Sequence, residues 1–222
     1  MFMNRTTTLP EESEGVIKYH LEYYPSPLAD DIVLDELIAW RDILFRLGLT
    51  GMDPHRYGGL AYGNVSMRLA GNDRFVISGT QTGGIPALRP EHFSVVRSFD
   101  LAANRISASG PVAPSSEALT HALIYRQREA VTHVIHVHSP LVWADAASLN
   151  LPVTSPEARY GSPEMVAEVN QQMLLHPAAK LIAMGGHRDG LIAFGTSPGE
   201  AAFTLIESLA QSLTHRAAGA PI

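Results

Sequence analysis

The chain has no cysteine among its 222 residues. That excludes disulfides, thiolate nucleophiles and thiolate ligands together, so any metal has to be held by histidine, aspartate or glutamate, a donor set that suits zinc. Charge is sparse as well: 17% of residues are charged, the formal net charge is -6, and no dense Lys/Arg block occurs. Nucleic acid is therefore not an expected partner. Long apolar runs are also missing, and Met1 to Thr8 lacks the apolar centre of a secretory signal. A soluble, cytoplasmic protein with no membrane partner is expected. What is present, 45% hydrophobic residues over this length, suffices for one substantial core and falls short of two.

Residues 1–30 are polar and punctuated by Pro10, Pro25 and Pro27, which predicts an N-terminal arm ahead of a single domain over 31–222. Val33, Leu37, Trp40, Leu44 and Leu47 recur at helical spacing, and Gly48 stands where that helix would stop. Strand-like stretches follow at 65–69, 75–78 and 94–99, separated by glycine, asparagine and proline. Ser115 and Ser116 can cap a helix running to about Gln127. Further helices are expected from Pro140 with Trp143, from Ser162-Pro163-Glu164 with Val166, Val169, Met173 and Leu174 inward, and from the capping box Ser197-Pro198-Gly199-Glu200. Strands at 181–184 and 191–194 flank the loop Gly185-Gly186-His187-Arg188-Asp189-Gly190. Helices and strands interleave throughout, so the class is α/β or α+β, with one sheet covered by helices.

The chemistry concentrates at Val134-Ile135-His136-Val137-His138. Side chains alternate along a strand, so His136 and His138 share a face roughly 6.6 Å apart, close enough for two imidazoles to meet at one ion. Histidine in an apolar strand is costly unless its nitrogens are satisfied, by a cation or by neighbouring backbone and carboxylates. His133 falls on the opposite face and reads as structural. His187 sits in a glycine-rich loop where packing gives a histidine no reason to be, and a catalytic zinc wants three protein ligands and one open position. Asp189 is the competing ligand there. A cupin-type site would need a carboxylate shortly after the pair, where Leu141, Val142 and Trp143 stand, and an amidohydrolase barrel needs a longer chain with the pair on its first strand.

Several segments then occur in one order: Gly63-Asn64-Val65-Ser66-Met67-Arg68, Thr82-Gly83, Pro114-Ser115-Ser116-Glu117 with His121, His136-Val137-His138-Ser139, and His187 before a final strand. Together, over about residues 35–210, they resemble the class II aldolase/adducin family. The resemblance implies a three-layer α/β/α sandwich around a largely antiparallel sheet, and zinc on His136, His138 and His187. It also implies a homotetramer with sites between subunits. Glu117 would be the catalytic acid/base, and Asn64, Thr82, Gly83, Ser115 and Ser116 would bind the substrate's phosphate, at a helix end whose free amides favour anions. His121, one turn past Glu117, would orient neighbours. Family members include fuculose-phosphate and rhamnulose-phosphate aldolases, an epimerase, a dehydratase and the metal-free adducins.

On that resemblance the chain is expected to be a zinc-dependent aldolase acting on a ketose phosphate or related hydroxy-carbonyl compound through an enediolate. Dehydration, decarboxylation and epimerisation use the same scaffold. Glutamate at 117 resembles the aldolases and dehydratases, whereas the epimerase has aspartate. A non-catalytic, adducin-like scaffold is disfavoured by the three histidines. The loop Gly79 to Gly84 is longer than in the family, Glu157 stands at the place of a catalytic tyrosine with Tyr160 close by, and Arg188-Asp189-Gly190 follows His187 where histidine usually meets glycine directly.

Overall fold

The computed structural model describes residues 15–71 and 73–219. An eight-stranded sheet runs through it in the order β1-β7-β6-β5-β4-β8-β10-β9. Its strands are β1 (His20–Pro25), β4 (Asn64–Arg68), β5 (Phe75–Ser78), β6 (Phe93–Asp100), β7 (Arg105–Gly110), β8 (His133–His138), β9 (Leu181–Ala183) and β10 (Gly190–Gly195). A separate ribbon pairs β2 (Gly51–Met52) with β3 (Ala61–Tyr62). The named strand pairs of the large sheet are antiparallel except β1 with β7. The expected mixed fold with a large, mainly antiparallel sheet is therefore present.

Alternation along the strands sends side chains into two cores. Val134 and Ile192 join Phe75, Ile77 and Ile106 under α2 (Ala118–Gln127) and α4 (Pro163–Leu175). Ile135, Val137, Leu191 and Ala193 point the other way, under α1 (Asp35–Arg46), α3 (Pro140–Ala144) and α5 (Pro198–Ala217). Each fully buried aliphatic side chain contributes on the order of 1.5–3 kcal/mol. Helices on both faces make three layers. Serines cap three of the helices: Ser139 accepts from Val142 N, Ser162 from Met165 N and Ser197 from Glu200 N. The reciprocal half of the box at Ser197 differs from expectation, because the Glu200 carboxylate accepts from Thr196 N and its hydroxyl instead.

Three expectations need correction. Part of the stretch read as an arm, His20–Pro25, is an edge strand of the sheet, with Leu21 and Tyr23 packed against the core; Pro25 is tolerated because it ends an edge. Residues 1–14 of that arm lie outside the described residues. Leu174 is exposed because α4 turns it away from the sheet, and Val33 and Leu47 are exposed because α1 spans only Asp35–Arg46 and leaves both outside it. Arg41, on the inner face of α1, is 2% exposed. Its guanidinium donates to the carbonyls of Gly83 (2.6 Å), Thr82 (3.3 Å) and Ile85, pinning the loop after β5. Gly83 is required in that loop: a Cβ there would come within 2.2 Å of Tyr62 O.

Among the described residues, no helix is long and apolar enough to cross a membrane. Arg41→Met keeps the volume but strands the carbonyls of Thr82, Gly83, Ile85 and Pro86. It is expected to lower unfolding free energy by about 2–4 kcal/mol in urea titration. An unchanged midpoint would show that the loop does not depend on the guanidinium.

Candidate metal centre

Strand register builds the centre. β8 lies between β4 and β10, and His136 stands opposite Asn64 on one side and Ile192 on the other. The pair His136 and His138 shares its face with Val134, toward α2. His187 reaches the same place from the β9–β10 loop. Its N–H donates to Met184 O (3.0 Å) and its carbonyl accepts from Gly190 N (2.9 Å), which folds the loop back over the sheet. Gly186 makes that possible, since a Cβ would sit 1.9 Å from Ala158 O. The ligating atoms of His136, His138 and His187 lie within 4.8 Å of one another, and all three residues are buried.

Glu117 closes the group from the start of α2, where it is the N-cap residue; the helix begins after it, with Ser115 and Ser116 ahead of the cap. Its carboxylate lies 3.0 Å from His136 Nε2 and 3.2 Å from His187 Nδ1, and it accepts from Asn64 Nδ2 at 3.1 Å. The group is 1% exposed. Burial pushes its carboxyl pKa up, but the imidazoles of His136 and His187 and the Asn64 bond outweigh that and hold it well below the usual range. Burial, then the neighbouring His187, His136 and Arg56, push His138 well down, so its ring is neutral.

The donor set fits a divalent metal. His136 Nδ1 lies 3.0 Å from Leu191 O; a carbonyl only accepts, so Nδ1 carries the proton, which in a neutral ring would leave the Nε2 lone pair facing inward. That Nε2 lies 3.1 Å from His138 Nε2, close to the roughly 3.4 Å separation of ligand nitrogens on a tetrahedral zinc. Lone pairs and a carboxylate converging in a dry site require a cation or protons between them.

The other sequence candidates are placed as follows. Thr82 Oγ1 donates to Gly79 O (2.7 Å), Ser115 Oγ accepts from Glu117 N (3.3 Å), and Ser116 is buried beside them. His121 Nδ1 pairs with Ser66 Oγ (2.7 Å), which also meets the Tyr125 hydroxyl (2.6 Å); burial brings its pKa down to about 3. His133 points away from the centre and pairs with Thr132 Oγ1 (2.8 Å). Glu157 is exposed and bonded to Ser155, whereas Tyr160 is buried with its ring 4.9 Å from that of His187. Asp189 is not one of the clustered ligands: its carboxylate accepts from Tyr57 OH at 2.7 Å.

Residues that sequence reasoning passed over crowd the same place. The Tyr57 ring stands edge-on to His138 (4.5 Å), Tyr62 lies 5.3 Å from it, and Arg56 stacks on both tyrosines. The available signal was the run His55-Arg56-Tyr57-Gly58-Gly59 between two short apolar stretches.

Residues 50–213 match the family model of the class II aldolase and adducin N-terminal domain, and the chain belongs to that family. Solved structures share its fold. An L-fuculose 1-phosphate aldolase is 22% identical with a TM-score of 0.63, the match covering 88% of this chain and 91% of that one. A sugar-phosphate aldolase from Thermotoga maritima is 14% identical (TM-score 0.65, 85% and 97% covered). YgbL from Escherichia coli, a candidate aldolase/epimerase/decarboxylase, is 19% identical (TM-score 0.60, 85% and 90% covered). Among curated proteins, none matches this chain.

Removing one of three ligands opens the grip. His136→Ala is expected to bind zinc at least 100-fold more weakly than the parent in competition with a chromogenic chelator. Equal affinity in the variant would place the metal elsewhere.

Proposed function

We propose that the chain is a zinc-dependent aldolase that cleaves or forms a carbon–carbon bond in a ketose phosphate or related hydroxy-carbonyl compound. The observation that carries the reading is the buried Glu117 carboxylate held against two of three clustered imidazoles. His136, His138 and His187 would hold the ion, which supplies Lewis-acid polarisation of the substrate's carbonyl when bound.

The chain's own residues do the rest. In cleavage the bond between the carbon beside the carbonyl and the hydroxyl-bearing carbon beyond it breaks, its electron pair stays on the carbon beside the carbonyl, and the departing carbon becomes an aldehyde as its hydroxyl gives up a proton. The ionised Glu117 carboxylate takes up the proton that the hydroxyl releases and returns a proton to the carbon that kept the pair, so none is gained or lost; in the reverse direction it removes that proton from carbon. Being ionised leaves it free to take a proton, and Asn64 holds one of its carboxylate oxygens in place. Tyr160 rather than exposed Glu157 packs beside this centre, its ring 4.9 Å from that of His187. The proton-handling carboxylate would serve dehydration, decarboxylation or epimerisation equally, so products decide among them. A metal-free scaffold role has less support, because it leaves the buried carboxylate without compensating charge.

The same reading extends to a soluble, cytoplasmic homotetramer. Phe203 and Leu213 on α5 are exposed, and Trp40 stands edge-on to Phe203 (4.9 Å), so an apolar surface remains uncovered in one chain.

Two measurements test these points. Zinc-loaded protein incubated with a panel of phosphorylated and unphosphorylated ketoses is expected to release an aldehyde and a smaller ketone, and Glu117→Gln is expected to lower that rate roughly 100-fold or more with zinc content retained. Products lacking a carbon–carbon scission, or full turnover by the variant, would refute the aldolase assignment. For assembly, light scattering is expected to give a tetramer mass that falls in Phe203→Glu. An active monomer would contradict shared sites.

A further inference from the structure

Of the three candidate ligands, His187 has the least support from regular structure. His136 and His138 are fixed by the register of β8 between β4 and β10, whereas His187 stands in the turn between β9 and β10, which also holds Asp189 in left-handed backbone at φ 64°. Its imidazole leans on Tyr160: the ring centres are 4.9 Å apart and the planes 33° from each other. The backbones of the two loops touch as well, since a Cβ on Gly186 would come within 1.9 Å of Ala158 O. The place of the third imidazole therefore depends on the place of Tyr160.

Tyr160 belongs to no helix or strand, yet it is 1% exposed. What holds it comes from far away in sequence. Lys18 Nζ donates to the Tyr160 carbonyl (2.8 Å) and stands 3.7 Å from the centre of its ring, and Val16 N donates to its hydroxyl (3.4 Å). Carbonyl, ring and hydroxyl are each gripped by Val16 or Lys18. An ammonium is attracted by the negative face of a phenol ring, and a charged donor bonds a carbonyl more strongly than a neutral one. The next residue, Gly161, adopts φ 62° and packs so that a Cβ would meet Ser116 O at 3.1 Å and the Lys18 stem at 4.0 Å.

The segment that carries Lys18 is anchored on both sides of it. Tyr19 is 6% exposed and donates its hydroxyl to Ser115 O (2.8 Å), two residues ahead of Glu117, and β1 begins with the residue after Tyr19. Upstream, Thr80 Oγ1 donates to Gly15 O (2.9 Å). A lysine pinned one residue after and three residues before itself presents its ammonium from a fixed base. The family match begins at residue 50, so this brace lies outside the matched domain.

We propose that Lys18 is a positioning residue of the metal centre, acting through Tyr160 on His187. Its consequence for the metal rests on the reading of His136, His138 and His187 as ligands; its cause rests on the contacts among Lys18, Tyr160 and His187. Without the ammonium, Tyr160 loses its carbonyl and ring holds, the His187 ring gains freedom, and the ion keeps two strand ligands and a looser third.

Three variants test this against the parent. Lys18→Met keeps the apolar stem and removes the charge, Lys18→Arg returns a cation able to stack on the ring and donate to the carbonyl, and Lys180→Met removes the ammonium paired with Glu200 ahead of β9. Circular dichroism and a melting curve verify that each folds. In metal-free protein, a nuclear Overhauser cross-peak between the Tyr160 and His187 rings is expected in the parent, Lys18→Arg and Lys180→Met, and is expected to be lost in Lys18→Met. In zinc-loaded protein, release to excess chelator is expected to be at least about threefold faster in Lys18→Met and parental in the other two. With cobalt in place of zinc, the visible absorption band is expected to shift in Lys18→Met alone. Parental cross-peak, release rate and cobalt band in Lys18→Met would overturn the proposal. So would fast release with the cross-peak intact or a lost cross-peak with parental release, either of which removes Tyr160 from the route. A defect that Lys18→Arg fails to repair would also overturn it, by assigning the effect to lost packing rather than to the cation. A parent that binds neither metal refutes the ligand reading, and the cross-peak then decides the hold of Lys18 on Tyr160 and His187, so the two fail separately.

Discussion

A carboxylate and three imidazoles buried within a few ångströms of each other need positive charge among them. Glu117, His136, His138 and His187 are each at most 2% exposed, and removing an ionised carboxylate from water costs several kcal/mol that only a nearby cation or donated protons can offset. The rest of the centre follows from that constraint. Leu191 O fixes the His136 tautomer, Asn64 holds the carboxylate, and the glycine-lined turn brings His187 across the sheet. A divalent ion satisfies the requirement without protonating rings whose burial already favours the neutral form.

How much of this could be read in the chain depends on whether the signal is local. The histidine pair and its face follow from strand alternation over six residues, and Gly185-Gly186-His187 announces itself because a histidine there has no packing purpose. Three helices follow their serine caps, whereas α2 does not follow the expected cap at Ser115 or Ser116, since its N-cap is Glu117 and no side chain caps it. β1 was illegible because polar residues and prolines conceal an edge strand whose pairing with β7 spans more than 80 positions, from His20 to Arg105. β7 itself carries small residues, Ser107, Ala108 and Ser109, whose strand character comes from neighbours rather than propensity. Arg41 lay hidden in an amphipathic helix, where a guanidinium ordinarily marks the solvent face and here serves four loop carbonyls.

The 53–60 loop illustrates the same limit at the site. Asp53, Pro54, Gly58 and Gly59 mark it as a turn region, but only the tertiary fold brings Tyr57 against His138 and Arg56 against Asp189. The family match begins at residue 50 and so includes this loop, while the shared fold at 14–22% identity speaks to architecture alone. Chemistry therefore rests on the carboxylate and imidazoles rather than on the shared fold.

The most direct test of the account is anomalous diffraction from crystals of zinc-loaded protein, measured on both sides of the zinc absorption edge. It should locate one ion per chain, bonded to a nitrogen from each of His136, His138 and His187, with Glu117 outside the ligand set and a fourth position open. An ion held elsewhere, a carboxylate of Glu117 replacing one of the histidines, or a triad that binds none under saturating zinc would contradict it.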